Sequence, residues 1–212
     1  MFAHALPAGA PRAGAVLATL LLTALLAGCS TGSSTSSSSA VARAAGASGF
    51  EGAALPAAVL APAFTLADQH GRPVSLAGQR GQVAIVAFVY STCGATCVVI
   101  AQQIRGALDE LGRAVPVLLI SADPAADTPA RVGRFLSRVS LSGRVSYLSG
   151  SPAQLRAVWR GFHVVGASAD HAAFERTASV FLIDRAGRQR VIYQLQQLTP
   201  EALAHDVRKL LG

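Results

Sequence analysis

The chain has 212 residues, a formal net charge of +7 and 51% hydrophobic residues, which is enough for one globular domain with a full apolar core. Its three cysteines are too few for a small scaffold held together by disulfides. The positive charge comes from arginines, many at the spacing of a solvent-exposed helix face, so we expect no nucleic-acid partner.

The N-terminal region has the pattern of a bacterial lipoprotein signal. An apolar stretch over residues 13–28 has the length of a signal-peptide core and is short for a membrane-spanning helix. Small residues then lead into Cys29, as in a lipobox, and a serine-rich segment over 30–39 follows. An uncleaved anchor helix is the alternative. The predicted segments are a signal peptide (1–28), a lipidated cysteine with a flexible tether (29–60) and one folded domain (61–212).

This signal predicts a bacterial cell-envelope protein that faces the periplasm or the exterior. The lipid on Cys29 would hold the chain to a membrane and remove that residue from thiol chemistry. Two cysteines, Cys93 and Cys97, then remain in a compartment that permits disulfides.

The folded part is predicted to alternate strands with helices, which indicates an α/β fold with a mainly parallel sheet. A β-hairpin opens the domain and a second β-hairpin comes late in the chain. The predicted elements in chain order are a hairpin (64–76), a buried strand (82–90), a helix (97–111), a strand (115–121), a helix (129–139), a strand (144–148), a helix from 152, a loop (167–171), a hairpin (179–194) and a helix (200–211). This order is thioredoxin-like, with a mixed central sheet.

Cys93 and Cys97 lie between a buried strand and the start of a helix. At this spacing on a helical turn, both side chains share one face. A small local adjustment would close a disulfide, and two thiolates could instead hold one soft metal ion. The helix N-terminus favours the thiolate form of either cysteine. A purely structural disulfide, or two inert thiols, is the alternative.

Four stretches of the sequence resemble the Sco/SenC family of thioredoxin-like proteins. The resemblance covers roughly residues 62–212. The matching stretches are Phe64-Thr65-Leu66 with Asp68 and Gly71, the C-x-x-x-C loop from Phe88 to Cys97, Ser121-Ala122-Asp123-Pro124 followed by Asp127-Thr128-Pro129, and Val180-Phe181-Leu182-Ile183-Asp184 with Gly187.

The resemblance implies copper handling during cytochrome c oxidase assembly, thiol-disulfide exchange, or both. Family members hold copper with two cysteines and a histidine five residues before the aromatic residue of the late strand. Counting back from Phe181 reaches Arg176, whose guanidinium has no lone pair for a metal. Beside the cysteines, Arg176 would instead stabilise a thiolate.

Two residues near this pattern, His171 and Asp123, have two interpretations each. His171 could replace the missing ligand, or be a solvent-exposed loop histidine. Asp123 could assist proton transfer or orient a ligand near the cysteines, or it could cap a turn. Asp127 and Thr128 are interpreted mainly as capping residues. There is no proline between Pro152 and Pro200, so the cis-proline that thioredoxins place opposite their disulfide has no counterpart.

Two functions follow from these observations. The first is a copper metallochaperone that binds copper, as Cu(I) rather than Cu(II), through Cys93 and Cys97. Its partner would be a cytochrome c oxidase subunit or another copper protein. The second is a thiol-disulfide oxidoreductase that keeps a partner's copper-site cysteines reduced, and Arg176 favours this alternative. Whether the protein is an enzyme depends on this choice.

Overall fold

The computed structural model describes residues 48–212, which form a six-stranded mixed sheet, a separate two-stranded hairpin and five helices. The strands are β1 (Ala53–Ala54), β2 (Thr65–Ala67), β3 (Pro73–Ser75), β4 (Ala84–Val89), β5 (Val117–Ser121), β6 (Ser146–Leu148), β7 (Ser179–Ile183) and β8 (Gln189–Gln194). The helices are α1 (Ala95–Leu111), α2 (Pro129–Arg138), α3 (Pro152–Gly161), α4 (His171–Thr177) and α5 (Pro200–Leu211).

The sheet has the strand order β1-β8-β7-β4-β5-β6. Strands β4, β5 and β6 run parallel, whereas β7, β8 and β1 extend the other side of β4 with antiparallel pairing. The predicted α/β class, mixed sheet and two hairpins are therefore confirmed. Because β4 and β5 are parallel and Val89 pairs with Ser121, the segments that follow these two strands leave the same edge of the sheet.

Apolar runs explain why β4 and β5 lie at the centre of the sheet. All six residues of β4 and all five of β5 are buried, as expected for strands covered on both faces. Three phenylalanines from different elements, Phe88, Phe162 and Phe181, pack with ring centroids 4.9–6.1 Å apart. Helix α1 buries the face that carries Ile100 and Ile104, and it packs against α5.

Helix starts follow local sequence signals. Thr128, Ser151 and Thr199 each cap a helix with the side-chain oxygen, and a proline occupies the first helical turn in all three cases. This confirms Thr128 as a capping residue. Helix α4 was not predicted: His171, placed at the end of a loop, instead begins this helix after the N-cap Asp170.

Residues before the predicted domain boundary at residue 61 already pack within the described fold. Phe50 is buried, and β1 pairs with β8. The buried carboxylate of Asp206 on α5 accepts the backbone N–H groups of Glu51 and Gly52 and the hydroxyl of Tyr193. These bonds fix an alanine-rich segment that has little apolar pattern of its own. The predicted signal peptide, Cys29 and the first part of the tether lie outside the described residues.

The opening hairpin is held by one carboxylate. Asp68 accepts the backbone N–H groups of His70 and Arg72 and pairs with the Arg72 guanidinium at 2.8 Å. Burial acts to raise the pKa of Asp68, but these hydrogen bonds and the Arg72 charge outweigh it and hold the pKa below its usual value. The turn therefore depends on an ionised Asp68.

Candidate functional site

The two cysteines lie just beyond the end of β4, where the chain turns into α1. The backbone N–H of Cys93 donates to the carbonyl of Tyr90 at 3.1 Å, which closes the turn. Cys93 and Cys97 are joined by a disulfide, with their Cα atoms 5.7 Å apart. The pair thus sits at the edge of the sheet where β4 and β5 end.

The N-terminus of α1 uses a sulfur atom in place of a capping oxygen. Its N-cap residue is Gly94, which has no side chain to offer, and the first turn holds no acidic residue. The backbone N–H of Cys97 instead donates to the Sγ atom of Cys93 at 3.3 Å. After reduction of the disulfide, this N–H and the helix dipole would stabilise a thiolate on Cys93.

The two sulfur-bearing side chains differ in their access to solvent. Cys93 is 5% exposed and Cys97 is fully buried. Thiol-disulfide exchange requires direct approach to a sulfur atom, and Cys93 is the less deeply buried of the two cysteines. Cys97 is positioned to attack Cys93 from within the protein.

His171 contacts the segment that leads into the cysteine turn. Its Nδ1 atom and the hydroxyl of Tyr90 are 2.9 Å apart, and the two rings meet edge to face. Burial, followed by the charges of Glu175 and Asp123, raises the pKa of Tyr90, so its hydroxyl stays protonated at neutral pH. If Nδ1 carries the proton and donates to this hydroxyl, Nε2 has a free lone pair.

Arg176 lies on α4, five residues after His171, with its side chain exposed to solvent. Within residues 48–212, its guanidinium makes no hydrogen bond or ion pair with another side chain. The structure does not join Arg176 to either cysteine, so the predicted thiolate contact is not formed in the disulfide state.

Asp127 connects the cysteine turn to two neighbouring strands. Its carboxylate accepts the backbone N–H of Ser91, the hydroxyl of Ser121 at the end of β5, and the hydroxyl of Tyr147 on β6, each at 2.6 Å. The interpretation of Asp127 as a capping residue is therefore wrong, because its side chain points to the sheet rather than to the helix start. Its only sequence signal was its place in the Asp-Thr-Pro stretch.

Tyr147 is the buried partner of Asp127. Burial and then the nearby Asp127 carboxylate raise the pKa of Tyr147 well above its ordinary value. Its hydroxyl therefore stays protonated at neutral pH and donates to the Asp127 carboxylate. Ser91, two residues before Cys93, is held in place through this buried arrangement.

Asp123 forms the turn that follows β5. Its Oδ1 atom accepts the backbone N–H of Ala126 at 3.3 Å, as a turn-capping aspartate does. Its charge nevertheless reaches the site, since it contributes to the raised pKa values of both Tyr90 and Tyr147. Asp123 therefore has a turn role and lies close to the cysteine turn.

The described part of the chain holds no cluster of three or more His, Cys, Asp or Glu side chains that could bind a metal ion. In the disulfide state, Cys93 and Cys97 have no thiolate to offer, and His171 is turned toward Tyr90. Two sulfur donors become available only on reduction, and they suit a soft ion such as Cu(I). Between residues 48 and 212, no helix has the length and apolar character needed to cross a membrane.

Comparison with solved structures finds Sco proteins and thioredoxin domains. Bradyrhizobium japonicum ScoI with copper bound is 26% identical, with a TM-score of 0.53, and the match covers 72% of this chain and 99% of that one. BsSco, described as a Sco-family cytochrome c oxidase assembly protein with a disulfide switch, is 21% identical, with a TM-score of 0.61 and coverage of 72% and 93%.

The thioredoxin domain of a thiol-disulfide oxidoreductase from Bacteroides vulgatus is 18% identical, with a TM-score of 0.56 and coverage of 74% and 99%. This likeness supports the thioredoxin-like fold. A search of curated proteins finds no match. The family model SCO1/SenC matches residues 52–212, which include the whole described fold from β1 onward. The chain therefore belongs to the SCO1/SenC family.

Proposed function

We propose that this protein delivers copper during cytochrome c oxidase assembly, with Cys93 and Cys97 as the pair that holds the metal. The observation that carries the proposal is the meeting of the two sulfurs at the N-terminus of α1, with Cys93 the less deeply buried of the two. Membership of the SCO1/SenC family supports it, as do the copper bound to the B. japonicum relative and the assembly role stated for BsSco.

The donor set favours Cu(I) over Cu(II). Reduction of the disulfide leaves two thiolates, and the N–H of Cys97 and the helix dipole offset their negative charge. Soft sulfur ligands suit Cu(I), whereas Cu(II) prefers additional nitrogen or oxygen ligands. Arg176 cannot supply one, and His171 can do so only by presenting its Nε2 atom while Tyr90 holds Nδ1.

Thiol-disulfide exchange is the second candidate function, and the different exposure of Cys93 and Cys97 favours it. In the reduced protein, the Cys93 thiolate attacks one sulfur of a partner disulfide, and the other partner sulfur leaves as a thiolate. The Cys97 thiolate then attacks the Cys93 sulfur and releases the second partner thiolate. Two electrons pass to the partner, the Cys93–Cys97 disulfide forms, and a separate dithiol reductant restores the pair.

We further propose that lipid on Cys29 tethers the domain to a membrane of the bacterial cell envelope. The support is the lipobox-like sequence before Cys29 and the serine-rich segment after it. A tethered domain would meet membrane-bound partners at high effective concentration.

A Cu(I) titration of the reduced full-length chain against a chromophoric chelator tests copper binding. We expect about one Cu(I) per chain, and loss of that binding when Cys93 and Cys97 are both replaced by serine. The matched control is Cys29→Ser, which removes a cysteine outside the described fold and should leave the stoichiometry unchanged. Equal Cu(I) binding by the double variant would contradict the proposal.

A further inference from the structure

A basic groove runs between the cysteine turn and α2. Its volume is about 410 Å³, and Thr92, the residue directly before Cys93, forms part of its wall. The residues that line it are Ser91, Thr92, Arg131, Arg134, Phe135 and Arg138.

The three arginines of this groove are free to bind anions. All three are exposed, and α2 contains no acidic residue to pair with them. Arg131 donates to the carbonyl of Ala126 at 3.3 Å, and Arg138 lies over the Phe135 ring at 5.7 Å. Within the described fold, none of the three forms an ion pair with a carboxylate.

Other arginines of the described fold do form such pairs. Arg105 and Arg144 both bind Asp109, at 2.8 and 2.7 Å, and Arg208 binds Glu110 at 2.9 Å. Among the arginines of the described fold without such a pair, Arg131, Arg134 and Arg138 are the ones that share this groove with Ser91 and Thr92, just before Cys93. A guanidinium offers a planar fork of donors that matches a carboxylate.

We propose that this groove docks an acidic segment of the protein that exchanges thiols or copper with Cys93. The proposal rests on the proposed function, because only such a partner must bring its own sulfur or metal site next to Cys93. A groove of one charge sign accelerates the approach of an oppositely charged partner and fixes its orientation. A membrane surface seated on the same groove would cover Cys93 and exclude the partner.

The test compares two charge-matched triple variants of the full-length chain. The groove variant replaces Arg131, Arg134 and Arg138 by glutamine. The control replaces three exposed arginines near the opposite end of β4, where Arg80 precedes the strand, Arg188 lies in the β7–β8 turn and Arg113 follows α1. Both variants lose the same net charge, so a difference between them reports the position of the charge.

The first probe is a fluorescent peptide rich in Asp and Glu, compared with a peptide that has Asn and Gln at the same positions. We expect the acidic peptide to bind the unmodified chain and the control variant in preference to the neutral peptide, and to lose affinity at high salt. Binding to the groove variant should weaken about tenfold or more. Equal binding to both variants, or equal binding of both peptides, would overturn the proposal.

The second probe adds one free cysteine to each peptide and measures its reaction with the Cys93–Cys97 disulfide. We expect the acidic peptide to react faster than the neutral one, with this advantage lost in the groove variant. If the acidic peptide binds the groove but reacts with the disulfide no faster than the neutral peptide does, the groove does not bring a partner to Cys93. The inference then fails. If neither thiol reacts, the exchange function fails, and the binding comparison still decides whether the groove takes an acidic segment.

Vesicles of phosphatidylglycerol provide the remaining comparison. We expect the groove variant and the control variant to bind such vesicles equally. Selective loss of vesicle binding by the groove variant, with unchanged peptide binding, would assign the groove to the membrane and refute the proposal.

Discussion

The substitution Asp127→Ala tests whether one carboxylate holds the cysteine turn to the sheet. The carboxylate accepts three hydrogen bonds, from Ser91, Ser121 and Tyr147. After truncation, the hydroxyl of Tyr147 can still donate to the carbonyl of Val89, at 3.4 Å. The buried Ser91 N–H and the buried Ser121 hydroxyl lose the acceptor that Asp127 supplies. At about 1–3 kcal/mol for each unsatisfied donor, the free energy of unfolding should fall by about 2–6 kcal/mol.

Urea unfolding of the disulfide-bonded full-length chain measures this loss. The single tryptophan, Trp159, is a local reporter, because its Nε1–H donates to the carbonyl of Ser121 at 2.9 Å. The matched control is Asp109→Ala, which removes two exposed ion pairs, with Arg105 and Arg144, and should cost no more than about 1–2 kcal/mol. If the two variants lose the same stability, Asp127 does not have the structural role assigned to it.

Four further changes have defined outcomes. Cys29→Ala should abolish labelling by radioactive palmitate, and persistent labelling would contradict the lipid anchor. In the Cys93→Ser variant, alkylation should add the same mass to the oxidised and the reduced protein, whereas a remaining difference would assign the disulfide to another pair. Arg176→His should strengthen Cu(II) binding and give a thiolate charge-transfer band, and an unchanged spectrum would place residue 176 outside the site. Because the pKa of Asp68 is lowered, its stabilising effect is present above the ordinary carboxyl pKa of about 4 and is lost as the pH falls below it. Asp68→Asn should therefore destabilise the protein at neutral pH and much less near pH 2, and equal losses at both pH values in urea unfolding would contradict this.

The elements that were predicted correctly have local signals. Strand β4 is a continuous apolar run, and α2, α3 and α5 each begin with a capping hydroxyl and a proline. The proximity of Cys93 and Cys97 follows from their spacing at a helix start. These features depend on neighbours within a few residues, so they can be recognised in a single sequence.

The features that were missed depend on contacts between distant parts of the chain. Asp127 acquires its position from Tyr147, twenty residues later on another strand. The segment at Glu51 and Gly52 is fixed by Asp206, more than 150 residues away in the chain. Helix α4 is only seven residues long and buries one side chain, Phe174, so it has too little apolar periodicity to be recognised.

The pairing of His171 with Tyr90 is a further contact that the sequence did not show. Its residues are 81 positions apart, and it occupies the Nδ1 atom of the imidazole. Whether His171 completes a copper site therefore depends on tertiary structure rather than on its distance in sequence from Phe181.

Copper delivery is tested most directly by the copper content of the protein isolated without oxygen from the cell envelope of copper-supplied cells, measured by native mass spectrometry. We expect a species with about one copper per chain, absent from the Cys93→Ser variant and present in a Thr96→Ser control. A copper-free chain, whether its two cysteines form a disulfide or remain free thiols, would contradict copper delivery. A disulfide in that chain would favour thiol-disulfide exchange instead.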